Sequence, residues 1–76
     1  MKADDFVDVK GKTCPMPVLL TRKKIRTIKP GKILEIIGDF QPAKKNIQNF
    51  LNTNGHEVLE IQEEQGIYHI FTKISG

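Results

Sequence analysis

Ile33-Leu34-Glu35-Ile36-Ile37-Gly38 is the stretch whose reading decides the fold. It is a nearly continuous apolar run of strand length, which predicts a central strand covered on at least part of both faces. Just before it, Pro30-Gly31 ends whatever precedes, because proline disfavours the helical state for Lys29 and glycine turns the chain readily. Upstream, over residues 15–29, Val18, Thr21, Ile25 and Ile28 fall at i, i+3, i+7 and i+10, one face of a first helix. Downstream, Gly38 closes the strand and Asp39-Phe40-Gln41-Pro42 forms a short loop whose proline suits the first turn of a second helix. There Ala43, Ile47, Phe50, Leu51 and Asn54 keep helical spacing, and Asn54-Gly55 ends the run. Residues 6–9 predict an opening strand with Val7 and Val9 inward and Asp8 outward, followed by the loop Lys10-Gly11-Lys12-Thr13. Residues 56–63 and 67–74 predict two more strands around Glu64-Gln65-Gly66. The order is βαβαββ. Two helices cannot cover both faces of a sheet in so short a chain and still bury a common core. The expected fold is therefore a two-layer α/β sandwich, a four-stranded mixed sheet with both helices on one face, forming a single domain over residues 1–76.

Size and composition limit what such a domain can do. At 76 residues it buries only about 60% of its unfolded surface, so the core is thin and leaves no room for a separate catalytic module. Twelve Lys and Arg against nine Asp and Glu give a net charge of +3, which permits an anionic partner without demanding one. The single cysteine, Cys14, excludes an internal disulfide, a cysteine-rich zinc knuckle and a dithiol pair within one chain. No apolar run approaches the roughly 18 residues of a membrane span, and the start, Met-Lys-Ala-Asp-Asp, lacks a signal-peptide core. A cytoplasmic protein without membrane attachment is expected. His56 and His69 have no third ligand at metal spacing, so neither metal nor cofactor is expected. There is no glycine-rich phosphate loop and no Ser-His-Asp arrangement.

The informative segment is Cys14-Pro15-Met16-Pro17, where the first loop becomes the first helix. With Cys14 as N-cap, Pro15 takes the first helical position and Pro17 the third, and neither has an N–H to leave unsatisfied. The amides of Met16 and Val18 then remain to face the Cys14 sulfur, and the two prolines stiffen the helix end. A helix N-terminus favours a nearby anion by about 0.3 to 1 kcal/mol, less than the roughly 1.36 kcal/mol of one pKa unit. Starting from about 8.5, the dipole alone leaves the thiol mostly protonated at neutral pH, so Lys10 and Lys12 are the candidates to acidify it further. Free cysteines are usually small buried hydrophobes. A loop-to-helix junction flanked by two prolines is a poor core position, which favours a reactive role.

These residues resemble the TusA/SirA-like family of small sulfur carriers, whose signature is Cys-Pro-x-Pro at the start of the first helix. Val7-Asp8, Gly11, Cys14-Pro15-Met16-Pro17-Val18, Arg22-Lys23, Pro30-Gly31, Ile36-Ile37, Asp39, Ile47, Phe50 and Gly55-His56-Glu57 fall in the family's order across nearly the whole chain. Met16 stands where TusA commonly has glutamate. The resemblance implies the same βαβαββ sandwich. It also implies that Cys14 takes sulfane sulfur from a donor protein, a cysteine desulfurase or rhodanese type, as a persulfide and passes it to an acceptor protein. That is a sulfurtransferase-type relay rather than an independent turnover enzyme. In TusA the route ends in thiolation of a tRNA wobble uridine.

Arg22, Lys23, Lys24, Arg26 and Lys29 place five of the twelve basic residues on or just after the first helix. The plain reading is a solvated face; the sharper one is a docking surface for an acidic partner. Arg22 lies about 12 Å along the helix from Cys14, which suits partner contact better than activation of the thiol. Leu19 and Leu20 fall off the core stripe and extend that surface with an apolar patch. The rival reading is a nucleic-acid-binding or regulatory module using the basic first helix. A modest charge and few aromatics suited to stacking make direct nucleic-acid binding the weaker expectation.

Overall fold

The computed structural model describes residues 2–13 and 15–75. Six elements follow in the order β1 (Asp5–Asp8), α1 (Met16–Ile25), β2 (Ile33–Gly38), α2 (Gln41–Thr53), β3 (Glu57–Glu64) and β4 (Ile67–Lys73). They build one four-stranded sheet in the order β1-β2-β4-β3. β1 runs parallel to β2, and β4 is antiparallel to both β2 and β3. The expected mixed sheet with two helices is the observed one, and the apolar run at 33–37 occupies a central strand.

Cross-strand register sorts the side chains by face, since directly opposed residues point the same way. The rows Leu34-Thr72-Val58 and Val7-Ile36-Ile70-Ile61 look toward the helices. Val9, Leu34, Ile36, Tyr68, Ile70 and Ile74 join Ile47 and Leu51 of α2 in the buried cluster. The rows Phe6-Glu35-Phe71-Glu60 and Asp8-Ile37-His69-Gln62 line the opposite face. There His69 Nδ1 donates to Glu35 Oε2 at 2.6 Å. Two ion pairs tie the helices to the edge strands, Lys24 to Asp5 at 3.2 Å and Lys44 to Glu63 at 2.7 Å.

The ends of the elements have local causes. β3 and β4 join through Gln65-Gly66, with φ of 53° and 80°, the two left-handed positions of a tight hairpin whose twist suits the strands. Glu64 therefore stays in the strand, opposite Ile67. At the end of α2 the His56 N–H donates to Leu51 O at 2.9 Å and the Gly55 N–H to Asn52 O at 3.2 Å, a Schellman closure with Gly55 at φ +79°. Helix α1 is shorter than its periodicity predicts, ending at Ile25 instead of Lys29. Lys24 O accepts from both the Thr27 N–H (3.0 Å) and the Thr27 hydroxyl (2.8 Å), which tightens the chain into a turn before Pro30. Ile28 still reaches the core from that turn.

Candidate functional site

The loop of residues 10–13 follows directly from the end of β1. Val9 N–H donates to Ile37 O at 2.7 Å, so β1–β2 pairing continues to the last residue before the loop. Lys12 N–H returns to Val9 O at 3.2 Å, and Lys10 N–H to Asp8 Oδ1 at 2.9 Å. Gly11 sits at φ +78° and donates its N–H to Asp39 Oδ1, 3.0 Å away at the far end of β2. Cys14 itself lies outside the described residues, and so does any statement of its sulfur's surroundings.

The start of α1 corrects the sequence expectation by one position. The N-cap is Pro15, not Cys14, with Met16 first in the helix and Pro17 second. The cause is a turn closed before the helix begins, in which the Met16 N–H donates to Thr13 O at 2.9 Å. Of the two amides expected to face the sulfur, that of Met16 is thus engaged. Pro17 is buried and its carbonyl accepts from the Thr21 hydroxyl at 2.8 Å, which satisfies the one buried polar side chain of α1.

Leu19 and Leu20 part company. Leu19 is exposed, as is Met16, but Leu20 packs against the core cluster, so the expected apolar patch keeps only one of its leucines. The lysines separate as well. Lys10 lies 3.9 Å from Asp8 and Lys24 pairs with Asp5. Lys12, Arg22, Lys23 and Arg26 have no ion-pair partner among the described residues. Arg22 and Arg26 flank a groove of about 480 Å³ that Ile25, Phe50, Asn54 and His56 complete. Phe50, on the apolar stripe of α2, also packs against the core, whereas His56, expected on a strand, precedes β3. The Schellman closure brings His56 to the end of α2 beside α1, where its Nδ1 accepts from the Ser75 N–H at 3.1 Å.

Charge is segregated by layer. The two helices carry five basic residues and no acidic one. The four strands carry seven acidic residues against one lysine. The modest net charge thus conceals a basic helical layer over an acidic sheet, a field that orients an approaching acidic surface toward the helices.

Beneath the Asp39 turn, Tyr68 is fully buried, and an added Cβ on Gly38 would lie 2.4 Å from its hydroxyl oxygen. Only glycine fits there. The phenol donates to Phe40 O at a long 3.5 Å. Burial raises the Tyr68 pKa above its ordinary 10.0, and the nearby Asp39 carboxylate adds to the effect.

Fold and site together define a small two-layer α/β protein whose one cysteine stands between a pinned loop and the start of a basic helix. The family model described as Sulfurtransferase TusA matches residues 5–74, and the chain belongs to that family. A Methanocaldococcus jannaschii chain, named provisionally as a sulfur carrier protein, is 39% identical over 67 residues, 88% of this chain and 89% of that one. The sulfur carrier protein TusA of Pseudomonas aeruginosa is 37% identical over 65 residues, 86% of this chain and 82% of its own. The crystal structure of a SirA-like protein from Desulfitobacterium hafniense superposes with a TM-score of 0.80 at 18% identity, covering 95% of this chain and 99% of that one. That likeness establishes the fold. No helix among the described residues is long and apolar enough to cross a membrane.

Proposed function

We propose that the chain is a sulfur carrier that holds sulfane sulfur on Cys14 as a persulfide and hands it from a donor protein to an acceptor protein. One observation carries this: the only cysteine directly precedes Pro15-Met16-Pro17 at the start of α1, in a chain that matches its family from residue 5 to residue 74.

The transfer is a thiolate exchange. The Cys14 thiolate attacks the terminal sulfur of a donor persulfide, RS–SH. A new S–S bond forms on Cys14, the donor's S–S bond breaks, and RS⁻ leaves as a thiolate while the proton remains on the transferred sulfur or ionises from it. The sulfur keeps its oxidation level, so no outside oxidant or reductant enters. Delivery repeats the step in reverse, with an acceptor thiolate attacking the terminal sulfur and Cys14 leaving. Nothing in this scheme needs a catalytic base; it needs an approachable sulfur on a stiff mount. With Lys10 drawn toward Asp8 and the Met16 amide engaged, the helix dipole and Lys12 remain as the acidifying groups near Cys14 in sequence. They support a thiol only mildly more acidic than a free one.

Donor and acceptor meet the carrier through the basic layer. Exposed Met16 and Leu19 lie beside Cys14 in sequence, and Lys12, Arg22, Lys23 and Arg26, without ion-pair partners among the described residues, add charge to the same stretch, a combination suited to an acidic partner with apolar anchors. A cysteine desulfurase or rhodanese-type protein is the donor class, and thiolated tRNA is one product such a relay feeds. The nucleic-acid alternative loses support in the structure. Phe71 and Tyr68 are buried, Phe6, 57% exposed, lies on the sheet face away from the basic helices, and Phe50, the ring beside Arg22 and Arg26, is half-buried against the core, which is a poor platform for stacking bases.

The test is a two-step transfer. The protein is loaded by a desulfurase with radioactively labelled cysteine, purified and mixed with an acceptor thiol. Label should move to the acceptor and fail to load on Cys14→Ser. Label that persists on the Cys14→Ser protein, or salt-sensitive RNA binding with no loading from any donor, contradicts the carrier role.

A further inference from the structure

Among the described residues, three of the hydrogen bonds of loop 10–13 go to near neighbours in sequence. Lys10 bonds Asp8, Lys12 bonds Val9, and Thr13 bonds Met16. Among the described residues one hydrogen bond links residues 10–13 to a distant part of the fold, from the Gly11 N–H to Asp39 Oδ1 at 3.0 Å, across 28 positions of sequence. Gly11 bends the chain at φ +78° with nothing within 4 Å of the place a Cβ would occupy, so no neighbour crowds that side of the bend. Asp39 is by contrast well founded. It sits between Gly38, pressed against the Tyr68 ring, and Phe40, whose carbonyl takes the Tyr68 hydroxyl. Gly38 pairs with Tyr68 in the sheet, and Tyr68 is fully buried.

We infer that Asp39 is a positioning residue for sulfur transfer. Its carboxylate clamps the Gly11 amide and fixes the cysteine-bearing loop against a turn braced by the buried Tyr68. The inference rests on the carrier role proposed for Cys14. Rigid placement matters because a displacement of about 1 Å at a reacting atom costs as much as a hundredfold in rate. The bond is exposed, so its loss frees the loop without unfolding the protein. What Asp39 supplies is an acceptor oxygen, which the amide of asparagine also supplies; charge is not required.

Asp39→Ala and Asp39→Asn separate the possibilities, with two readouts on the whole chain. The first, which needs no sulfur, is amide exchange at Gly11 and backbone order over residues 10–13 by NMR. Asp39→Ala should exchange about tenfold faster at Gly11, with order parameters falling below about 0.6, while Asp39→Asn stays near wild type. The second is single-turnover loading of Cys14 by a cysteine desulfurase with cysteine. Asp39→Ala should load about tenfold more slowly and Asp39→Asn within about twofold of wild type. A loop that stays ordered in Asp39→Ala overturns the clamp. A freed loop with unchanged loading overturns the positioning role. Equal loss in both variants assigns the effect to charge and overturns it too. Wild type that never loads refutes the carrier role, and with it the role of Asp39 in transfer, while the loop readout still decides the clamp.

Discussion

Tyr68 and Gly38 show how single residues set the ground under the site. A methyl group at position 38 would lie 2.4 Å from the hydroxyl of the fully buried Tyr68, so one of the two must shift. Gly38→Ala should cost about 1–3 kcal/mol, read as a lower urea midpoint with an unchanged slope. The raised Tyr68 pKa has a definite sign. A group that binds its proton more tightly when folded stabilises the fold fully below its unfolded pKa, and that contribution is lost as pH rises through the folded value. Stability should thus fall above about pH 10 in the wild type and fall less in Tyr68→Phe. Tyr68 is the only tyrosine and there is no tryptophan, so the phenolate absorbance reports its titration directly. A midpoint at or below that of a free tyrosine contradicts the buried placement.

Among the elements, α1 is where sequence and structure diverge most. The spacing of Val18, Thr21, Ile25 and Ile28 was enough to find the helix, because an apolar stripe repeats with the helical period whatever lies beyond it. It could not place the ends, which depend on hydrogen bonds: Met16 to Thr13 at one end, Thr27 to Lys24 at the other. Nor could it separate Leu19 from Leu20, adjacent residues whose burial is decided by neighbouring elements. Leu20→Ala should cost about 1–2 kcal/mol and Leu19→Ala less than about 0.5, measured by chemical unfolding. If Leu19 anchors a partner, its truncation weakens donor binding while leaving the unfolding midpoint in place. The cysteine and its prolines were legible because that motif is contiguous. The Asp39–Gly11 bond was not, since its partners meet only after the sheet has formed.

At the scale of the whole molecule, what matters is the division of charge between layers. A net charge of +3 describes neither face: the helices are purely basic and the strands strongly acidic. Donor association should accordingly weaken as ionic strength rises past the point where the screening length falls below about 10 Å. The double reversal Arg22→Glu/Arg26→Glu should slow association at least tenfold at low salt and leave folding intact. Association kinetics that ignore both salt and reversal would remove the basic layer from the docking surface. Carrier and partner divide the work in this picture. A thin 76-residue fold has no means to surround a reaction, but its one cysteine directly precedes a basic helix that can dock proteins that do.

The central claim is that Cys14 carries the sulfur, and an intact mass measures it most directly. After incubation with a cysteine desulfurase and cysteine, the protein should gain the mass of one sulfur atom. The gain should vanish on treatment with a reducing thiol and be absent in Cys14→Ser. An unchanged mass with desulfurase and rhodanese-type donors alike, or a gain that survives in Cys14→Ser, contradicts the account.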